Sequence, residues 1–218
     1  MRIATRLILT NVAGFCDTAT FVHMRGVFSA HVTGNFVLLA ASLVDGGHAS
    51  DLLKLETFPV FVAAIGLSVW LYLAAEKHRK GEGLRRVLLA MTVIFAACAA
   101  IAFVPHTPED GWDVAITLLV VLALGLQNGL HHFIAGSMTT VMTGTVTATI
   151  ARATRRLLRA EPPEQPNAQA ALSPIWLVLV FGVGCLAAAF AVKAIGFACL
   201  TVAALAVAAS LYLERVKP

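Results

Sequence analysis

One carboxylate, Asp17, interrupts the apolar run from Leu7 to His23, ten residues into it. A charged group at that depth in a membrane costs several kcal/mol unless it meets water, a partner or an ion. No Lys or Arg lies in the same run to pair with it. Two chemistries suit it: proton acceptance, which desolvation favours, or coordination of a cation by a hard oxygen. The plainer alternative is an Asp that hydrogen-bonds a neighbouring helix.

Further polar residues stand at comparable depth. The segment H-V-T-G-N holds His31, Thr33, Gly34 and Asn35, and V-M-T-G-T holds Thr143, Gly144 and Thr145. Glycine permits backbone geometry that other residues resist. Thr and Asn side chains can satisfy amide and carbonyl groups freed where a helix ends inside a membrane. Both Thr-Gly sites are therefore expected as helix breaks that either line a binding site or only cap the broken ends. Gln127 and Asn128 are uncharged hydrogen-bonding groups in the second half, suited to a site or to gluing helices together. The site expected from these residues comprises Asp17, His31, Thr33, Gly34, Asn35, Gln127, Asn128, Thr143, Gly144 and Thr145. His131 and His132 are adjacent and so point about 100° apart on a helix; with His23 and His31 they suit proton relay or polar packing better than a metal.

The elements that carry these residues follow from composition. Of 218 residues 59% are hydrophobic and only 13% charged, with a mean hydropathy of +0.83. Soluble domains carry roughly 25% charged residues, so the bilayer is the simpler solvent for this chain. The net charge of +4 comes from short basic runs between apolar stretches, an orientation signal rather than a nucleic-acid face. Cys16, Cys98, Cys185 and Cys199 all lie in apolar stretches without a CxxC pair, as small buried hydrophobes. The first run reads as a span rather than a cleaved signal.

Apolar stretches run from Leu7 to His23, Val27 to Val44, Phe58 to Ala75, Val87 to Val104, Val114 to Leu130, Ile134 to Ile150, Ile175 to Val192 and Ile195 to Leu213. The loops Glu76–Arg86 and Arg152–Arg159 are basic, whereas Asp45–Glu56 and Pro105–Asp113 are acidic. Basic loops stay in the cytoplasm, which places both termini there too. Leu7–Val44 must then cross an odd number of times. Its 38 residues would make a helix of about 57 Å, against a hydrocarbon core of about 30 Å. A span plus a re-entrant or broken half-helix resolves the excess, and Val114–Ile150 poses the same problem in the opposite direction.

The halves also align. Gly14 matches Gly125, Asp17 matches Asn128, and Thr33-Gly34 matches Thr143-Gly144. Pro59 and Pro174 are expected to open the plain span that follows in each half. The predicted fold is an all-α membrane protein of about six transmembrane helices in two inverted three-crossing repeats, 1–104 and 105–218. A cytoplasmic linker covers 160–173. Small transporters and channels are commonly built this way.

The blocks G-F-C-D-T-A-T-F…F-S-A-H-V-T-G-N and G-L-Q-N-G…T-T-V-M-T-G-T resemble the paired signatures of the YoaK-like family, over about Leu7 to Leu213. The resemblance implies a bacterial inner-membrane protein of about six spans and leaves the substrate unnamed. Its Asp, Thr-Gly-Asn, Gln-Asn and Thr-Gly positions fall on Asp17, Thr33-Gly34-Asn35, Gln127-Asn128 and Thr143-Gly144.

No G-x-S-x-G, H-E-x-x-H, P-loop or dinucleotide motif occurs. The expectation is a non-enzyme without cofactor or metal: a small-solute transporter or channel whose partners are the lipid bilayer and an unknown small solute, with no nucleic acid. Self-association is left open. The alternatives are a structural or regulatory membrane protein and, behind it, a membrane-embedded enzyme.

Overall fold

A computed structural model describes residues 1–47, 50–105, 107, 111–134, 140, 146–147, 150–151, 154 and 174–215. The described elements are helical: α1 (Ile3–His23), α2 (Val32–Val44), α3 (Asp51–His78), α4 (Gly83–Ala102), α5 (Trp112–Gly129), α6 (Pro174–Ile195) and α7 (Leu200–Arg215). Short 3₁₀ turns follow α5 at Leu130–His132 and join α6 to α7 at Gly196–Cys199. In lipid each helix satisfies its own backbone, the requirement that any spanning segment must meet.

Four helical stretches are long and apolar enough to cross a membrane: Asp51–His78, Gly83–Ala102, Trp112–His132 and Ile175–Arg215. The last is 41 residues long and contains the break at Gly196, whose φ is 56°. Large apolar side chains face outward from it and from α3, among them Trp70, Val183, Phe190 and Leu205. Such faces suit lipid. By contrast α1 and α5 lie mostly inside. The core joins Leu9, Val12 and Phe15 of α1 to Met91 and Phe95 of α4, Ile116 and Leu124 of α5, and Val207 of α7.

Two helix pairs touch through glycine. In the α1–α6 pair, a methyl group on Gly14 would run into the carbonyl oxygen of Phe181, and one on Gly184 into that of Asn11. In the α3–α5 pair, a methyl group on Gly125 would strike the Ala64 side chain, and Gly129 lies against Ser68. The Ser68 hydroxyl donates to the Leu126 carbonyl at 2.7 Å. Small residues at such crossings let backbones approach where no hydrophobic force drives helices together. Gly66 and Gly182, by contrast, face open space.

The contacts also fix directions. Asn11 and Gly14 meet Val180–Gly184, and His23 at the end of α1 meets Phe197 just past α6, so α1 and α6 run the same way. The run Phe61–Ser68 against Gly125–Gly129 makes α3 and α5 parallel as well. The chain's last helix returns: Glu214, near the end of α7, accepts from the Arg2 amide and the Thr5 hydroxyl, both at 2.7 Å.

α2 is the exception in length. Its 13 residues rise only about 20 Å, too short for a core of about 30 Å. It packs on α3 and is tied to it at both ends. Asn35 donates to the Thr57 hydroxyl at 2.9 Å. Farther along, the Ser42 hydroxyl donates to Asp51 at 2.8 Å, and the buried Lys54 ammonium holds the other oxygen of that carboxylate.

Two sequence expectations are corrected. Pro59 lies inside α3 rather than at its start, because that helix begins at Asp51; the ring only removes one N–H from a helix already under way. The first break is not at Thr33-Gly34-Asn35, which sits in the opening turns of α2. The chain turns instead through Met24–His31, where Arg25 and Gly26 take left-handed backbone angles, φ 52° and 106°. Glycine carries such angles without penalty.

Candidate functional site

The turn between α1 and α2 is organised by Asp17. The side chain is 6% exposed and projects from α1 toward the incoming end of α2. Its Oδ1 accepts from the backbone N–H groups of Ser29 at 2.8 Å and Ala30 at 2.6 Å, with His31 more distant at 3.4 Å. Its Oδ2 stands 2.6 Å from His31 Nδ1. The amides leading into a helix have no partner within it, and a carboxylate at a helix N-terminus complements their dipoles.

A second layer fixes the same turn. The Thr20 hydroxyl lies 2.9 Å from the Ser29 hydroxyl and within hydrogen-bond range of the Cys16 and Asp17 carbonyls. Asn35, fully buried, accepts from the Phe28 amide and donates to the Phe28 carbonyl, each at 2.8 Å. The Thr57 hydroxyl, which receives the other Asn35 proton, donates to the Lys54 carbonyl at 2.7 Å. Gly34 contributes space: a methyl group there would press on the Phe28 ring at 3.2 Å.

His31 is the open member of the cluster. Its side chain is 36% exposed. The rings of Phe28 and Phe181 meet it edge-on, both at 5.9 Å. Phe181 belongs to α6, so the site touches the second half of the chain directly.

The structure thus brings together Asp17, His31, Gly34 and Asn35. Thr33 is exposed and has no side-chain hydrogen bond to the described residues. Gln127 is 1% exposed, and its amide donates to the Leu9 carbonyl at 3.0 Å. Leu9 lies eight residues from Asp17, about 12 Å along the helix, so Gln127 joins α5 to α1 at another level. Asn128 is half-buried near the end of α5. Thr143, Gly144 and Thr145 lie outside the described residues. Among the described residues no three His, Cys, Asp or Glu side chains group so as to hold a metal.

Sequence reasoning missed Ser29, Thr20 and Thr57 in the cluster. The one available signal was the Arg25-Gly26 dipeptide, a turn marker midway between two apolar runs. It named His23 for proton relay or polar packing but not its partner: the Nε2 stands 3.0 Å from Asp113 Oδ2 and links the end of α1 to the start of α5.

Apolar helices of spanning length around a polar helix break define the class: a helical membrane protein. The chain belongs to DUF1275, a family described as proteins of unknown function, whose profile matches residues 6–213. No curated protein and no solved structure matches it.

Proposed function

We propose that this protein is a small-solute transporter or channel of a bacterial inner membrane, with the α1–α2 turn as its polar site. The observation that carries the reading is the Asp17–His31 pair: a buried carboxylate and a partly exposed imidazole, 2.6 Å apart, at an interrupted helix. Ionisable groups in such positions mark ion and substrate paths. On this reading the chain is not an enzyme, needs no cofactor, and meets lipid and a small solute rather than nucleic acid.

We infer two inverted repeats, 1–104 and 105–218, with both termini cytoplasmic. Support comes from the matched crossings. Gly14 abuts the Phe181 carbonyl, and its sequence counterpart Gly125 lies near the Phe61 carbonyl. In each case the first helix of one half pairs, in parallel, with the first plain span of the other. Basic and acidic loops alternate to match. Single cysteines at Lys80 and Asp45 in a cysteine-free chain should label from opposite faces of the membrane; labelling of both from one face would remove the inverted arrangement.

The decisive experiment is flux. Liposomes containing only this protein should pass a small solute or ion that empty liposomes exclude, and His31→Gln should abolish that flux in folded protein. A broad screen without flux would favour the second reading, a structural or regulatory membrane protein. One observation supports that alternative: Asp17 Oδ1 is occupied by backbone N–H groups of its own chain.

A further inference from the structure

Asp17 has little left to offer a ligand. Oδ1 is taken up by the Ser29 and Ala30 amides, Oδ2 by His31, and the side chain is 6% exposed. A cation seeking a hard oxygen would have to displace the bonds that hold α2 in place. His31 is different. Its Nδ1 is engaged, and its Nε2 has no hydrogen-bond partner among the described residues, on a ring that is 36% exposed.

The partner at Nδ1 decides what Nε2 can do. A carboxylate only accepts hydrogen bonds. Facing one, the neutral imidazole keeps its single proton on Nδ1 and presents a lone pair at Nε2. We propose that His31 Nε2 is the proton-accepting atom of this site, and that Asp17 is the positioning residue that fixes its tautomer and balances its charge. A proton arriving from water binds the Nε2 lone pair, giving an imidazolium paired with Asp17 through Nδ1–H. Its departure restores the same neutral tautomer, so the cycle is closed without any other reactant.

The surroundings fit one proton and little else. From α1 the facing group is Asp17. From the turn it is the Phe28 ring, and from α6 the Phe181 ring. The Cys185 thiol of α6 lies within electrostatic reach of Asp17. Among the described residues His31 belongs to no group of three His, Cys, Asp or Glu side chains that could hold a metal ion. The inference rests on the transport reading for what the proton does, and on geometry alone for where it binds.

Nitrogen-15 histidine spectra of the protein in lipid nanodiscs test the binding site directly, with His31→Gln assigning the signal. Neutral His31 should carry its proton on Nδ1 and gain a second on Nε2 as the pH is lowered. Asp17→Asn should reverse the neutral tautomer, because the amide N–H then faces Nδ1 and forces the ring proton to Nε2, as happens when such a carboxylate is replaced beside other histidines. A neutral wild-type ring protonated on Nε2, or one that never takes up a second proton as the pH falls, overturns the proposal.

Flux separates this proposal from the reading beneath it. Liposomes loaded with a pH-sensitive dye, under a potassium diffusion potential set by valinomycin, should admit protons with the wild-type chain and fall to the empty-liposome rate with His31→Gln. Solute flux that leaves His31 unprotonated throughout overturns the proton site but keeps the transporter. Proton binding in the spectra without flux of protons or solutes overturns the transporter but keeps the proton site.

Discussion

Two buried polar side chains, Asp17 on α1 and Gln127 on α5, do opposite work. Asp17 gathers a loop. Its carboxylate draws in the Ser29 and Ala30 amides and His31, so the chain can turn and start α2. Gln127 joins two finished helices, donating to a Leu9 carbonyl on α1. The difference lies in the bonding partner. Backbone N–H groups entering a helix have no other acceptor. A carbonyl in mid-helix already receives the N–H four residues on. The first bond is a condition of local structure, the second an addition to it.

The largest effect should therefore follow Asp17→Ala. It leaves two buried amides and His31 without their acceptor at once. Each buried donor left without an acceptor costs about 1–3 kcal/mol, and with two buried amides orphaned we expect the largest fall in thermal stability of the series in detergent. Asp17→Asn should cost much less, since its carbonyl oxygen can still accept from Ser29 and Ala30. Equal losses for both variants would show that charge, not acceptance, holds the turn.

Next come the glycine crossings. Gly14→Leu would drive a side chain into the Phe181 backbone, and Gly125→Leu into Ala64. Overpacking costs about 1–3 kcal/mol, and a backbone obstacle places both variants toward the upper end. Gly66→Leu and Gly182→Leu face open space and should leave the unfolding temperature nearly unchanged. A large loss at Gly182 would point to a contact on that face which a single chain does not contain.

These comparisons show what could be read from the sequence. The apolar stretches, the excess length of Leu7–Val44 and the out-of-place Asp17 all follow from hydropathy, which the bilayer enforces strictly. The short helix α2 was legible for the same reason. The location of the break was not. Thr33-Gly34-Asn35 looked like a break because glycine and hydroxyl groups mark one, yet Gly34 is needed for the Phe28 ring beside it. Asp17's actual partners were hidden because they are mostly backbone amides, which every residue but proline carries and no sequence distinguishes. The Ser42–Asp51–Lys54 tie was hidden because hydropathy leaves 45–56 as an acidic loop, whereas the helix already begins at Asp51 and carries Lys54 inside the fold.

Asn35→Ala comes next in size. Asn35 satisfies both the amide and the carbonyl of Phe28 and reaches Thr57. Its loss leaves buried polar groups unpaired, each at about 1–3 kcal/mol, partly relieved where water enters the turn. Hydrogen exchange should quicken at the Phe28 amide first. Unchanged exchange there would show that Asp17 alone holds the turn.

The smallest effect is expected from Gln127→Leu, and it bears most directly on the contrast between the halves. The two side chains are similar in volume, so the buried position stays filled. The bond to the Leu9 carbonyl is lost, and side-chain hydrogen bonds between membrane helices average about 0.6 kcal/mol each. The Leu9 carbonyl keeps its place in the α1 ladder, so no new unsatisfied group appears on that helix. A stability change near that size, with flux per folded molecule intact, would mark Gln127 as a fastener between α5 and α1. If flux vanishes while the unfolding temperature holds, Gln127 belongs to the path, and the working site extends about 12 Å along α1 from Asp17. The second half would then supply chemistry as well as support, and the site could no longer be assigned to the α1–α2 turn alone.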